Sequence, residues 1–369
     1  MVQNVFIVGA TGNVGRELVR QIYEKDTDRK NHDNPTRIIG LASSKYALYN
    51  PEGIAKTQGI DFSGRNITGS RYDDLHEIVA QTEKIFEGRN VVFVDVTAEN
   101  GVMSRFHLDV IRNFRPFSIV TANKNPIAMS PYSIFRELTQ DVNRYKYSCS
   151  VMAGAGAVDW LADARDLGDK VHEIKGCFSG TLGYLCSELE KGRPFSSILF
   201  KAREEGYTEP HPRDDLSGKD VARKLIVLAR TLGIPIEFTE CKVKPFIPEK
   251  YLKINDVDSF MESIKGYDEV IRQRMGALLQ EGKTFRYVAS LVPKKGQVEL
   301  AVSLEEVAKD DDLGMLEGTT NIIKIVSDNN PKEKPYVMKA AGAGLGITAA
   351  NVRRDLLHIL EGRKATINH

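Results

Sequence analysis

No run of about 18 apolar residues occurs along the 369 positions, so nothing in the sequence is suited to cross a bilayer as a helix. An excess of either charge is also missing: 51 Lys and Arg face 50 Asp and Glu, for a net charge of +1. Without a basic block, nucleic acid is not expected as the main partner. Cysteine is scarce, and Cys149, Cys177, Cys186 and Cys241 are scattered without CxxC spacing, which indicates neither a zinc site nor a disulfide framework. The N-terminus lacks the charged and apolar regions of a secretory signal, because Gln3-Asn4 leads straight into an apolar strand. No internal repeat or low-complexity tract stands out. These absences suggest a soluble, cytoplasmic protein, with neither nucleic acid nor membrane as partner. Its length suggests two domains.

Val5-Phe6-Ile7-Val8 is a short apolar run that ends at a glycine, as a buried strand does. Helical spacing follows over 16–24, then a polar stretch over 24–36 that reads as a surface loop. Apolar strands are expected at 37–42, 91–96 and 118–121, with helices at 73–81 and 106–113. Strands that are apolar throughout and alternate with helices require a parallel sheet covered on both faces. The expected architecture is therefore α/β, with a doubly wound parallel sheet of Rossmann type over residues 1–148. From 149 to 338 the pattern changes to helices (181–191, 195–205, 218–232, 259–265, 268–281) and alternating antiparallel strands (285–291, 298–303, 321–327). That describes a second, α+β domain. Residues 339–369 read as a glycine turn and a last helix, 349–361.

The loop Gly9-Ala10-Thr11-Gly12-Asn13-Val14-Gly15 joins the first strand to the first helix. Glycines in that place permit a tight turn, close approach of backbone to a pyrophosphate, and close packing of helix on strand. The helix N-terminus offers unpaired N–H groups to phosphate. The spacing is GxxGxxG rather than GxGxxG. A carboxylate at the end of the second strand would bind the ribose hydroxyls of NAD. Here that end reads Ser43-Ser44-Lys45, which suits a 2′-phosphate and favours NADP(H) over NAD(H).

The densest chemistry lies between Ala202 and Lys224. A turn rich in proline and carboxylates leads into a helix that Ser217 is placed to cap, with Asp220 three residues on. Asp220 and Lys224 are then i and i+4, on one helix face. Spacing alone also fits a cap, an ordinary helical ion pair and a solvated acidic loop. The alternative is functional: carboxylates holding an ammonium group, beside a lysine that moves a proton.

The stretch Gly206-Tyr-Thr-Glu-Pro-His-Pro-Arg-Asp-Asp-Leu-Ser-Gly-Lys-Asp-Val-Ala-Arg-Lys224 resembles the signature of homoserine dehydrogenases. Further likeness lies in Thr121-Ala122-Asn123-Lys124, in Ser179-Gly180-Thr181, and in Gly342-Ala343-Gly344 followed by Thr348-Ala349-Ala350. The resemblance runs from the first strand to about Ile359. It implies reversible, NAD(P)-dependent interconversion of L-homoserine and L-aspartate 4-semialdehyde, in threonine, methionine and isoleucine biosynthesis. By that resemblance Lys224 and Lys124 are the catalytic lysines and Asp220 orients Lys224. Glu209 and Asp215 hold the substrate amino group and neighbouring polar atoms, beside Gly180 and Thr181. The cofactor would lie against Gly9, Ala10, Thr11, Gly12, Asn13, Val14, Ser43, Lys45, Thr97, Lys124 and Gly344. The family's monovalent cation site would fall on main-chain oxygens of Ala153 and Gly156, but Ser150 stands where a glutamate is usual. The resemblance further implies a homodimer, with residues 149–338 binding substrate and forming the dimer and 339–369 returning the chain to the nucleotide-binding domain. The chain ends soon after the last helix, so neither a kinase nor a regulatory domain is expected.

Two rivals remain open. The spelling Gly-Ala-Thr-Gly-Asn-Val-Gly also suits an aspartate-semialdehyde dehydrogenase, which needs a nucleophilic cysteine with a histidine partner. Cys149 is its one candidate, and its neighbours Tyr147-Ser148 and Ser150-Val151 lack the expected character. A non-catalytic NADP(H)-sensing protein is the other rival.

Overall fold

The computed structural model describes residues 2–27, 35–55, 60–61, 66–294 and 297–367. The chain divides into two compact units, Met1–Gly156 together with Gly344–His369, and Ala157–Ala343.

In the first unit, strands β1 (Gln3–Val8), β2 (Thr36–Ala42), β3 (Tyr46–Tyr49), β4 (Ser70–Arg71), β5 (Val91–Asp95), β6 (Phe117–Thr121) and β7 (Tyr145–Lys146) form one sheet ordered β4-β3-β2-β1-β5-β6-β7. The five strands from β2 to β7 run parallel, and β3 and β4 add an antiparallel annex at one edge. Order reverses between β2-β1 and β5-β6, and the crevice at such a reversal is where doubly wound sheets bind ligands. Helices α1 (Asn13–Lys25), α2 (Leu75–Phe86) and α3 (Gly101–Asn113) follow β1, β4 and β5. The core packs Leu18, Val19 and Ile22 of α1 against Val5, Ile7 and Val94. The C-terminal helix Leu345–Ile367 closes the same core with Ala349, Val352, Leu356 and Ile359. It starts four residues earlier than its apolar spacing suggests. The polar stretch from Glu24 differs from a surface loop at its start: Glu24 and Lys25 complete α1, and buried Asp26 takes a bidentate contact from Arg353 of the C-terminal helix. Residues 28–34 of that stretch lie outside the described residues.

The second unit carries α4 (Ala157–Asp166), α5 (Gly180–Leu189), α6 (Phe195–Glu204), α7 (Lys219–Thr231) and α8 (Asp268–Gln280). Its sheet comprises β8 (Val171–Cys177), β9 (Lys242–Val243), β10 (Lys283–Lys294), β11 (Gln297–Ala308), β12 (Thr320–Ser327) and β13 (Tyr336–Ala341), in the order β9-β11-β10-β8-β12-β13. All neighbours are antiparallel except the short β9–β11 pair. β8 lies near the middle of this sheet although its apolar pattern is broken by His172, Glu173 and Lys175. Those charges pair near solvent instead, Lys175 with Glu173 and His172 with Asp328, while Ile174 and Cys177 face the interior. On β10, the buried Arg286 guanidinium contacts Glu190 at 2.6 Å and donates to the carbonyls of Leu313, Gly314 and Leu316. Among the described residues no helix is long and apolar enough to cross a membrane.

Candidate functional site

Each unit presents one set of the expected residues. In the first, the N–H groups of Gly9 and Ala10 both donate to Ala42 O at 3.0 Å, which folds the glycine loop back over the end of β2. Gly12 N donates to Gly9 O, and α1 begins at Asn13 with no side chain capping it, so its first N–H groups are open to a phosphate. Gly15 is where space decides the residue: a Cβ there would lie 2.2 Å from Gly9 O. A cradle that tight suits a pyrophosphate held by backbone alone, so the loop fits a dinucleotide.

At the end of β2, the Ser43 hydroxyl accepts from Tyr46 N at 3.1 Å, and Tyr72, just after β4, donates through its hydroxyl to Ser43 O. Tyr72 N also donates to Lys45 O, so two bonds from the annex shape this turn and leave the Lys45 side chain exposed. Nothing in the spacing of the sequence pointed to Tyr72. Thr97 follows β5, with its N–H on Asp95 Oδ1 at 2.8 Å. Lys124 is partly buried and opens a short helical turn, Asn125–Ala128. Gly344 precedes the C-terminal helix and is exposed.

The Ala153 carbonyl, expected to face a cation, accepts from Asn351 Nδ2 at 2.7 Å, and the Ser150 hydroxyl donates to Tyr147 O. Gly156 ends the unit. Among the described residues, no group of three or more His, Cys, Asp or Glu side chains is placed to hold a metal. The Asn351 amide thus takes one of the two lone pairs of the Ala153 carbonyl.

In the second unit, α7 places Lys224 one turn after Asp220, and the two form an ion pair at 2.9 Å. Lys224 Nζ also donates to Phe178 O at 2.6 Å, so its amine has two fixed partners while its side chain keeps only 12% exposure. The helix does not begin on a Ser217 cap. The Ser217 hydroxyl donates to Asp214 O, and the N-cap is Gly218 at φ +72°, a left-handed conformation that disfavours a side chain. A Cβ on Gly218 would also fall 1.8 Å from the Tyr287 hydroxyl, which donates to Lys244 O.

Asp215 accepts from Glu209 N at 2.8 Å, and Thr181, in the first turn of α5, donates to Tyr207 O at 2.5 Å. Burial pushes the Asp215 carboxyl up to about 6, against the opposing pull of the Glu209 N–H and the Thr181 hydroxyl. The Glu209 side chain is exposed, as is that of Asp214. Gly180 packs against Thr319, with room for no more than a tight Cβ at 3.2 Å. A partly buried carboxylate with a raised pKa and a lysine clamped by two partners, both on the 206–224 segment, have the make-up of a polar substrate site rather than of a surface ion pair.

A family model described as homoserine dehydrogenase matches residues 158–357. The homoserine dehydrogenase of Paracoccidioides brasiliensis is 33% identical over 282 residues, 73% of this chain and 74% of that protein. The chain belongs to the homoserine dehydrogenase family. A chloroplastic bifunctional aspartokinase/homoserine dehydrogenase 2 from Zea mays is also 33% identical, over 96% of this chain, which spans only 38% of that relative's length. Among solved structures, a Candida auris protein of unknown function superposes with a TM-score of 0.82 at 27% identity, covering 98% of both chains. An Archaeoglobus fulgidus protein titled putative homoserine dehydrogenase shares the fold, with a TM-score of 0.73 at 21% identity over 97% of this chain and 99% of that one. The Phe178 carbonyl that holds Lys224 and the Tyr287 hydroxyl packed against Gly218 both escaped sequence reasoning. A main-chain acceptor leaves no trace in residue spacing, and Tyr287 lies 63 residues beyond Lys224.

Proposed function

We propose that this protein interconverts L-homoserine and L-aspartate 4-semialdehyde with a nicotinamide cofactor, NADP(H) in preference to NAD(H). The observation that carries the reading is the Asp220–Lys224–Phe178 clamp inside the 206–224 signature. Oxidation removes a hydride from the alcohol carbon and a proton from its hydroxyl. When bound, the oxidised nicotinamide accepts the hydride. Lys224, held by Asp220 Oδ2 and Phe178 O, takes that hydroxyl proton in its deprotonated form. In the reverse direction its ammonium donates to the aldehyde oxygen. By the family resemblance Lys124 is the other catalytic lysine. Asp215 and Glu209 take the substrate ammonium, with Thr181 and Gly180 alongside.

The absence of an acid at Ser43-Ser44-Lys45 supports the preference for NADP(H), with exposed Lys45 free to meet a 2′-phosphate. The exposed edge strand β13 and the family likeness support a homodimer. Four buried, unbridged cysteines suit a reducing cytoplasm. Purified protein mixed with L-homoserine and NADP+ is expected to generate NADPH absorbance. Absence of turnover with intact NADPH binding would favour a sensor instead. Higher catalytic efficiency with NAD+ would overturn the cofactor preference, and sedimentation as a monomer would overturn the dimer.

A further inference from the structure

Three buried groups that this reaction does not use form a line through the first unit. Asp95 ends β5 and His107 lies on α3, both at 0% exposure, and Tyr145 opens β7 at 2%. The Tyr145 hydroxyl lies 2.8 Å from His107 Nδ1. His107 Nε2 lies 3.2 Å from Asp95 Oδ2, close enough to feel the carboxylate but not aligned as a hydrogen bond. Hydroxyl, imidazole and carboxylate in that order are the parts of a nucleophilic triad, yet the hydroxyl is sealed and no substrate can reach it. Chemistry on the array itself is therefore ruled out.

The carboxylate reaches outward instead. Asp95 Oδ1 accepts from Thr97 N at 2.8 Å, and Oδ2 lies 3.4 Å from the Thr121 hydroxyl at the end of β6. That hydroxyl accepts from Asn123 N at 3.0 Å. Asn123 then donates from Nδ2 to Glu99 O at 2.8 Å and to Thr97 Oγ1 at 3.3 Å, and its Oδ1 accepts from Asn125 N. Asp95 thus ties the segment 96–100 after β5 to the segment 122–125 after β6. Both leave the C-terminal ends of adjacent parallel strands, where a doubly wound sheet binds its ligand. Asn123 is the immediate neighbour of Lys124.

We propose that Asp95 is a positioning residue for these two segments, and that His107 and Tyr145 are the buried prop that keeps its carboxylate in one orientation. The role rests on the dehydrogenase reading above, because what is positioned is Thr97 and Lys124. A buried carboxylate is costly unless hydrogen-bonded, and the bond that Asp95 Oδ1 accepts from Thr97 N holds the loop that supplies it. Reacting groups carried on loops need such support to stay within about 0.5 Å of working geometry.

The test compares wild type with Asp95→Asn, which keeps the shape, and Tyr145→Phe, which removes one hydroxyl two links from the Asp95 carboxylate. Hydrogen exchange is read at the amides of Thr97 and Asn123, and steady-state kinetics are run with homoserine deuterated at the carbinol carbon. Expected are exchange faster by about tenfold at those two amides in both variants, without a matching rise in β1 or β2. Also expected is a kcat about 10–100-fold lower in Asp95→Asn, with KM for homoserine within about twofold and a larger deuterium isotope effect. A purely structural role would lower Tm and raise exchange throughout the sheet, leaving kcat per folded molecule and the isotope effect unchanged. That result overturns the proposal. If Asp95→Asn does not fold, Tyr145→Phe decides by the same measurements. Wild-type inactivity on homoserine would sink the dehydrogenase reading, and the exchange at Thr97 and Asn123 would then judge the positioning role separately.

Discussion

Lys224 and Asp215 show how single residues here trade stability against chemistry. Lys224 is clamped between Asp220 and the Phe178 carbonyl, which holds its amine in one orientation. Lys224→Ala is expected to lower kcat by about 10²–10⁴-fold while leaving NADPH affinity near wild type, as read by cofactor fluorescence titration. Near-normal turnover in that variant would remove Lys224 from the mechanism. Asp215 carries the opposite burden. Its folded carboxyl is raised from 3.8 to about 6, so ionisation costs the native state. That cost is absent below the unfolded carboxyl range and complete once the pH passes about 6. Asp215→Asn should therefore stabilise the protein at pH 7.5 by about 2 kcal/mol in denaturant titration, with the gain fading as pH falls toward 4. The same variant should raise KM for homoserine. In the wild type, KM should climb as pH drops below about 6, because a protonated Asp215 no longer holds an ammonium group. A flat KM between pH 5 and pH 8 would count against its assignment.

At the scale of elements, the start of α7 depends on Gly218 rather than on a serine cap. Its left-handed φ of +72° and the Tyr287 hydroxyl, 1.8 Å from where a Cβ would sit, both exclude a side chain. Gly218→Ala should cost at least about 2 kcal/mol of stability and displace the first turn that carries Asp220. Circular dichroism melts and activity should fall together, and a variant with wild-type Tm would show that the turn can relax. The contrast with Ser217 is instructive. Ser217 followed by Asp220 has the spelling of a capping box, but Ser217 instead continues the short turn Arg213–Leu216 and hands the N-cap to glycine. The i,i+4 pair Asp220–Lys224 survives that shift, because it depends only on the helix period. β8 carries the converse lesson. Its charged residues obscure the alternation of a strand, and its place between β10 and β12 comes from partners more than 100 residues away.

For the whole molecule, the decisive feature is that the last helix packs into the first unit. Ala349, Val352, Leu356 and Ile359 are buried in the core that holds Val5, Ile7 and Leu18, and Arg353 clasps buried Asp26. Removing residues 344–369 would expose that apolar face and leave Asp26 without its guanidinium, although the cut lies far along the chain from the glycine loop. Each large buried side chain lost from such a core costs about 2–5 kcal/mol, so the truncated protein should aggregate or bind a hydrophobic dye. A soluble truncated protein that still binds NADPH would show that the first unit folds without its last helix. Arg286 is a comparable anchor in the second unit: Arg286→Ala would leave Glu190 and four carbonyls without the buried guanidinium and should cost about 3–5 kcal/mol.

Local rules of the chain were enough for much of this protein. The glycine loop after an apolar strand, the alternation of strands and helices in the first 148 residues, and the Asp220–Lys224 pair are short-range features, set by steric freedom and by the periods of helix and strand. The 206–224 signature is likewise contiguous, which is why the family could be read from it. Tertiary structure alone decided the rest. It placed β8 inside the second sheet, returned the C-terminal helix to the first core, and set Phe178 O against Lys224. It also sealed Asp215 enough to raise its carboxyl and linked Asp95 to His107 and Tyr145. Each of these depends on groups distant in sequence meeting in a dry interior, where desolvation and pairing set the energy, and no local pattern of residues encodes which distant groups will meet.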